Sequence, residues 1–327
     1  MDVSALAPAG FSPAPLVPPR DDALLDGEQL GPGIRRICVD ALDAAVAGLT
    51  DHSAPDAGVH VARKSLKRAR AMIRLVRDPL GHWTYRQENV VLRDTARVVA
   101  PVRDGAVLIE TLDGLRERYG QALAEGLWDD LGAALTSRHQ RARAQVLDDR
   151  DTLLSLVTTL RTARRRFAAW PAEAEAADHR SIPDRYGSIA RGIHRVYARG
   201  RRAMAIAADT RTEEDLHQWR KRVKYLRHQM EALEPVWPEL LRATSTELDR
   251  LGEILGVEHD LAVLDETVRS EPRLCPDQAA RRVLYALIAH DRTVLQRAAL
   301  GLGERLYAEP PQVFVGRLGA YWEAWRP

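Results

Sequence analysis

The 327 residues leave room for one large domain or two smaller units. Hydrophobic residues make up 45% and charged residues 29%, with Ala, Leu, Arg and Glu abundant and β-branched and aromatic residues sparse, which points to a soluble all-α protein. The 48 Lys and Arg stand against 46 Asp and Glu, a net charge of +2, so attraction for an anion has to come from where the charges sit.

Cys38 and Cys275 are far apart and lack metal-ligand spacing, which excludes a zinc-finger pattern and fits two core thiols in a reducing compartment. The apolar stretches are too short to span a bilayer, and the N-terminus has neither a basic n-region nor an apolar h-region. A cytoplasmic address and no membrane partner are expected.

Residues 1–29, rich in Ala, Pro and Asp without apolar periodicity, are expected to form a flexible tail. A first helical half follows over 30–170, broken at Asp78-Pro79-Leu80-Gly81 and closed by Trp170-Pro171. Residues 171–184 have the composition of a linker, and a second helical half occupies 185–327, broken at Glu234-Pro235, Trp237-Pro238 and Glu309-Pro310-Pro311.

In the first half, His60-x-x-Arg63-Lys64-x-x-Lys67-x-x-Arg70 places its five named positions within an arc of about 120° on a helix. Arg74 extends this stripe by another turn, while Ala62, Leu66, Ala69, Ile73 and Val76 form the opposite, core-facing side. From Val59 to Arg77 there are seven Lys or Arg and no Asp or Glu. A solvated helix face ordinarily mixes signs, so this uncompensated repulsion points to an anionic partner. The next helix carries Leu92, Ala96 and Val99 and leads to Arg103-Asp104-Gly105-Ala106-Val107-Leu108. Farther on, Arg138, Arg141 and Arg143, then Arg161, Arg164, Arg165 and Arg166, are spread around their helices and need no more than a surface role.

The second half repeats this order. Its early helix sets Arg191, Arg195, Arg199 and Arg202 against Ile189, Ile193, Val196, Gly200 and Met204. Thr212 and Asp215 then form a helix-start signal. Behind it stands His217-x-x-Arg220-Lys221-x-x-Lys224-x-x-Arg227, 157 residues after the first copy. His228 falls in the same arc, and Trp219, Val223, Leu226, Met230 and Leu233 repeat the apolar side at the same offsets. Leu248, Gly252 and Leu255 lead to His259-Asp260-Leu261-Ala262-Val263-Leu264, so a second signal recurs at a spacing of 156. Two such units are expected to pack about an approximate two-fold axis, bringing both basic stripes to a shared groove or pore.

Through both H-x-x-R-K-x-x-K-x-x-R helices and the later R-D or H-D plus A-V-L segments, the sequence resembles the CHAD family over about residues 30–325. The resemblance implies two helical bundles related by pseudo-two-fold symmetry and lined by basic residues that bind polyphosphate. Carried onto this chain, it makes His60, Arg63, Lys64, Lys67, Arg70, His217, Arg220, Lys221, Lys224 and Arg227 the expected contacts. Stripe geometry adds Arg74, Arg195, Arg199, Arg202 and His228 in second rank. CHAD domains are often joined to a triphosphate-tunnel domain bearing an E-x-E-x-K strand; the sequence has no such segment and reads as a stand-alone module. Asp40 and Asp43 stand where the second half is basic, so the two halves are expected to contribute unequally.

Polyphosphate offers closely spaced charge and no bases, so rows of Arg and Lys suffice to hold it. Non-catalytic binding of inorganic polyphosphate is therefore the leading expectation, with residence at polyphosphate granules and room for a homo-oligomer. Nucleic acid ranks second, because a strand binder should interleave aromatics with its cations and only Trp219 and Tyr225 do so, beside one stripe. A metal-dependent polyphosphate or triphosphate hydrolase built on Asp104 or Asp260 ranks third, and a scaffold with a basic face fourth. Asp104 and Asp260 are more simply read as helix caps or partners that orient an arginine. No phosphate-binding glycine loop, nucleophile elbow, H-E-x-x-H or Cys-x-x-Cys is present, so no catalytic residue, metal ligand or cofactor is expected.

Overall fold

The computed structural model describes residues 22–170 and 182–326, and these form twelve α-helices and no strand. The first half contains α1 (Leu30–Thr50), α2 (Pro55–Leu75), the single turn α3 (Arg77–Leu80), α4 (His82–Val98), α5 (Ala100–Tyr119), α6 (Glu125–Val146) and α7 (Arg150–Ala168). The second contains α8 (Gly187–Thr210), α9 (Glu213–Ala232), α10 (Pro238–Ser270), α11 (Gln278–Leu306) and α12 (Pro311–Trp325).

The two basic stripes lie on α2 and α9, and the starts of both helices are written locally. Pro55 opens α2, where a missing N–H costs nothing. Thr212 caps α9, its hydroxyl accepting from the Asp215 amide at 3.2 Å. All ten apolar residues matched between the two helices, from Ala62 and Trp219 to Val76 and Leu233, are buried. Truncating the larger of them costs about 2–5 kcal/mol each, so the core holds both stripes at fixed rotation.

The packing order repeats. Helix α1 lies on α2 and α7, as α8 lies on α9 and α12; α2 packs on α4 and α5, as α9 packs on α10; α5 meets α6, as α10 meets α11. One long helix in the second half thus replaces two in the first. The reason is Pro101, near the start of α5, which cannot donate to the Arg97 carbonyl, whereas its counterpart in the unbroken α10 is Val257.

The repeats are not separate cores. One apolar cluster joins α1, α2, α4 and α7 to α8, α9, α12 and the first half of α10; another joins α5 and α6 to the end of α10 and to α11. Helix α2 also crosses α8 closely, and a Cβ on Gly192 would come within 2.0 Å of the Leu75 carbonyl oxygen, so only glycine fits that crossing. Division at 171–184 therefore separates repeats but cuts through both cores.

Two boundaries shift. Residues 22–29 were expected in the tail, yet Ala23 and Leu24 are buried, the Leu24 amide donates to the Ala232 carbonyl at 2.9 Å, and Asp22 pairs with Arg68. Composition missed this because two apolar side chains are too few to set a period. At the other boundary Ile182 is buried and Asp184 accepts from the Leu30 amide at 2.8 Å, so both belong to the packed body. Residues 1–21 and 171–181, the remainder of the expected tail and linker, lie outside the described residues. Cys38 and Cys275 are free and buried, and among the described residues no helix is long and apolar enough to cross a membrane.

Candidate functional site

Helices α2 and α9 pack directly on each other, which brings the middles of the two stripes together. Arg63 and Lys67 of α2 and Arg220 and Lys224 of α9 lie close enough to act on one another electrostatically, with Asp104 of α5 and Asp260 of α10 as the nearest carboxylates. Asp104 holds Arg63 at 3.3 Å. Gly256 of α10 makes room for the Arg220 guanidinium, since a Cβ there would stand 3.2 Å from Nη2.

These cations are held in an unfavourable place. Burial, then Arg63 and Arg220, push Lys67 down to about 8. Lys224 is lowered well below its usual range by burial and by Arg220 and Lys67, and Arg220 is lowered mainly by burial. Burial also pushes Asp260 up despite Arg220 and Lys224 beside it. Among the described residues neither Lys67 nor Lys224 makes an ion pair within 4.0 Å. Buried like charges without counterions are costly, so the fold keeps this cluster against its own stability.

Four nitrogens at the same place are buried and have no hydrogen-bond partner: Arg63 Nη1, Arg220 Nε, His217 Nδ1 and His259 Nδ1. An unsatisfied buried polar group costs about 1–3 kcal/mol; the two arginine nitrogens are donors that lack an acceptor, while each imidazole nitrogen donates or accepts according to its tautomer, and His259 Nδ1 has Glu213 Oε1 3.9 Å away.

Each stripe begins beside a residue of the second repeated signal. His60 is lowered by burial and then by Arg103, while the His217 ring lies 4.3 Å, centroid to centroid, from that of His259. Arg103 also pairs with Glu110 at 2.8 Å. Arg103 and His259 were not among the expected contacts, although the R-D and H-D segments carried them at the spacing that matched everything else. A second signal was also open to counting. The chain has only four lysines, Lys64, Lys67, Lys221 and Lys224, and all four are on the two stripes. Arginine serves elsewhere as the planar partner of carboxylates, as in Arg138 with Glu271, Arg164 with Asp43 and Arg166 with Glu88.

Beyond the centre the two stripes part company. On α2, Arg70 and Arg74 both donate to Asn89 Oδ1, at 3.3 and 2.9 Å, and Arg74 lies over the Tyr225 ring at 4.2 Å. On α8, Arg199 and Arg202 line a cavity shared with Arg222 of α9. Three expected contacts go elsewhere. Arg195 is paired with Asp78 at 2.9 Å, because the α3 turn sits against α8. Arg227 is bonded to Glu231 at 2.8 Å and to Asp249. His228, only 5% exposed, is bonded to Glu231 at 2.8 Å under the neighbouring helices. Burial would raise Glu231, but the His228 hydrogen bond and the Arg227 charge hold it at about 2.

A comparison with known families places this arrangement. The model of the CHAD domain matches residues 34–269. The chain belongs to the CHAD domain family. The matched part of the CHAD domain runs from α1 to the end of α10 and so includes both stripes and both R-D or H-D segments. A crystal structure of the CHAD domain from the plant Ricinus communis is similar to it, with a TM-score of 0.51 at 18% identity, covering 94% of this chain and 97% of that one. At that identity the likeness concerns the fold. Among curated proteins, none matches the sequence.

Proposed function

We propose that this CHAD domain holds inorganic polyphosphate along the facing stripes of α2 and α9 and does not cleave it. The observation that carries the reading is the convergence of the unpartnered donors Arg63 Nη1 and Arg220 Nε with Lys67 and Lys224, which make no ion pair within 4.0 Å among the described residues, beside His217 and His259. A phosphate chain supplies what such a place lacks, namely repeated oxygens that accept charge-assisted hydrogen bonds. Each lysine, a compact charge with three donors, can follow successive phosphates that a rigid guanidinium fork would hold in one orientation.

Asp104 and Asp260 fit this reading as partners of arginine. Asp104 is occupied by Arg63, and Asp260 sits among cations that it partly offsets. Residence at polyphosphate granules follows as an expectation of the same reading.

Titration with polyphosphates of graded length, with triphosphate and single-stranded RNA as competitors, tests the proposal. Tight binding that falls steeply with salt is expected, together with its loss in Lys67→Glu/Lys224→Glu at unchanged helicity. Displacement by RNA at equal phosphate concentration would favour a nucleic-acid binder. Release of phosphate with magnesium or manganese, lost in Asp260→Ala, would make the protein a hydrolase.

A further inference from the structure

We propose that the polyphosphate path leaves the central cluster toward one side only, across Arg70, Arg74, Arg222, Arg199 and Arg202, while the equivalent way out on the other side is shut by the protein's own carboxylates. This rests on the polyphosphate reading and adds a direction to it.

Comparison of the repeats carries the argument. On the first side, Arg70 and Arg74 of α2 have Arg93 of α4 beside them and face Tyr225 and Arg222 of α9. At the positions 157 residues after Arg70 and Arg74 and 156 after Arg93, the second half has Arg227, Glu231 and Asp249. These three are bonded to one another through Arg227, so the same place in the other repeat is neutralised and closed. Position 222 is Arg where the first half has Ser65. The early helices also differ: α8 offers Arg199 and Arg202 to the cavity, whereas on α1 Asp43 is paired with Arg164 at 3.0 Å and Asp40 with Arg36 at 3.8 Å.

The open side is also continuous with the centre. Lys221, between Arg220 and Arg222 on α9, is influenced by both Arg222 and Arg70. Arg222 in turn lies near Arg199. Past them is the cavity between α8 and α9 walled by Arg199, Arg202, Arg222, Gln218, Ala203 and Ile206. The one carboxylate on that wall, Asp215, is already engaged by the hydroxyls of Thr210 and Thr212 at 2.8 and 2.7 Å. Among the described residues Arg70, Arg74, Arg199, Arg202 and Arg222 have no carboxylate within 4.0 Å. Of the two equivalent ends, one is cationic and the other is occupied by the Arg227, Glu231 and Asp249 bonds.

The ligand addressed by this arm is a chain longer than the centre can hold, so length is the variable to test. Arg199 and Arg202 are exposed, and their reversal leaves the core untouched. Arg199→Glu/Arg202→Glu should weaken a long-chain polyphosphate at least tenfold and make the log K against log salt slope shallower by about 1. Tripolyphosphate should bind the same variant within twofold of the parent. Arg282→Glu/Arg297→Glu, an equal charge change on α11, should leave both ligands within twofold. Unchanged long-chain affinity in the α8 variant, or an equal loss for tripolyphosphate or in the α11 variant, overturns the directional path. Retained binding of both ligands by Lys67→Glu/Lys224→Glu would instead overturn the central site itself.

Discussion

His217 and His259 face each other with ring centroids 4.3 Å apart and planes 34° from parallel, in the company of Arg220, Lys221 and Lys224. Burial, then Lys221 and Arg220, lower His217 to about 4, and burial, then His217 and Arg220, lower His259 to about 3. Both imidazoles are therefore neutral in the free protein at neutral pH. Because the unfolded chain takes up these protons first, the free protein loses stability as pH falls from about 6.5 toward 4.

A bound phosphate chain reverses that sign, since a nearby negative charge favours imidazolium. Binding should be accompanied by proton uptake, and affinity should rise as pH falls from about 7.5 to 5.5. Calorimetry at pH 6 in buffers of different ionisation enthalpy measures the uptake, and His259→Gln should remove most of it. Zero uptake by the parent protein would place the phosphates away from the histidine pair.

Lys67 gives a second pH signature. Its ammonium is lowered from 10.5 to about 8 in the folded chain, so between those values the unfolded state binds more protons and the free protein gains stability as pH rises. Lys67→Met removes the buried charge and keeps the volume. It should stabilise the free protein by about 1–2 kcal/mol, a Tm rise of about 2–4 °C, while lowering polyphosphate affinity. A fall in Tm would mean that Lys67 is held by favourable contacts and not kept for a ligand.

The parts of this arrangement that were legible in sequence are those fixed by helical phase. Matching His60 with His217 also matched Ala62 with Trp219 and Ile73 with Met230, so one register put the cations on one side of each helix and the apolar residues on the side that enters the core. Phase gives direction around an axis but not what stands above it. His228 has the right angle and is nevertheless covered, because Glu231 lies three residues on and the helices close over that turn. Arg195 has a partner that the sequence does not announce for a related reason: Asp78 is 117 residues away, in a turn whose docking on α8 no local pattern marks. The placement of Arg103 near His60 and of His259 against His217 needed the packing of α2 on α5 and of α9 on α10.

The confinement of lysine to the site supplies a direct footprint. Amine-reactive labelling followed by mass spectrometry can report only on Lys64, Lys67, Lys221 and Lys224 among side chains. At about pH 7.5, Lys67 should label in the free protein, because its lowered pKa leaves a share of free amine. Saturating polyphosphate should protect Lys67 and Lys224, and full labelling of both in its presence would contradict their contact with the chain.

Asp260 separates binding from hydrolysis. It stands among Arg220, Lys224 and Arg103 and offsets part of their charge. Asp260→Asn keeps the shape and removes that offset, so polyphosphate affinity should rise, by about 0.5–1 kcal/mol for one screened charge. A metal-dependent hydrolase would lose turnover in the same variant without binding more tightly, and equilibrium binding beside phosphate release tells the two apart.

Arg227 and Lys224 sit three residues apart on one helix and should respond oppositely to truncation. Lys224 has no ion-pair partner within 4.0 Å among the described residues and suffers from its neighbours, so Lys224→Ala should lower polyphosphate affinity tenfold or more with Tm unchanged or raised. Arg227 is the charged partner of Glu231, which is only 2% exposed, and it also bonds Asp249. Arg227→Ala leaves the buried Glu231 carboxylate with its His228 hydrogen bond but without its guanidinium, which should cost about 3 kcal/mol of stability. That loss should grow as pH rises through the ordinary carboxylate range, where Glu231 must ionise without its cation. Long-chain polyphosphate affinity, measured well below the melting temperature, should stay within threefold of the parent, and a tenfold loss there would restore Arg227 to the ligand-contacting stripe.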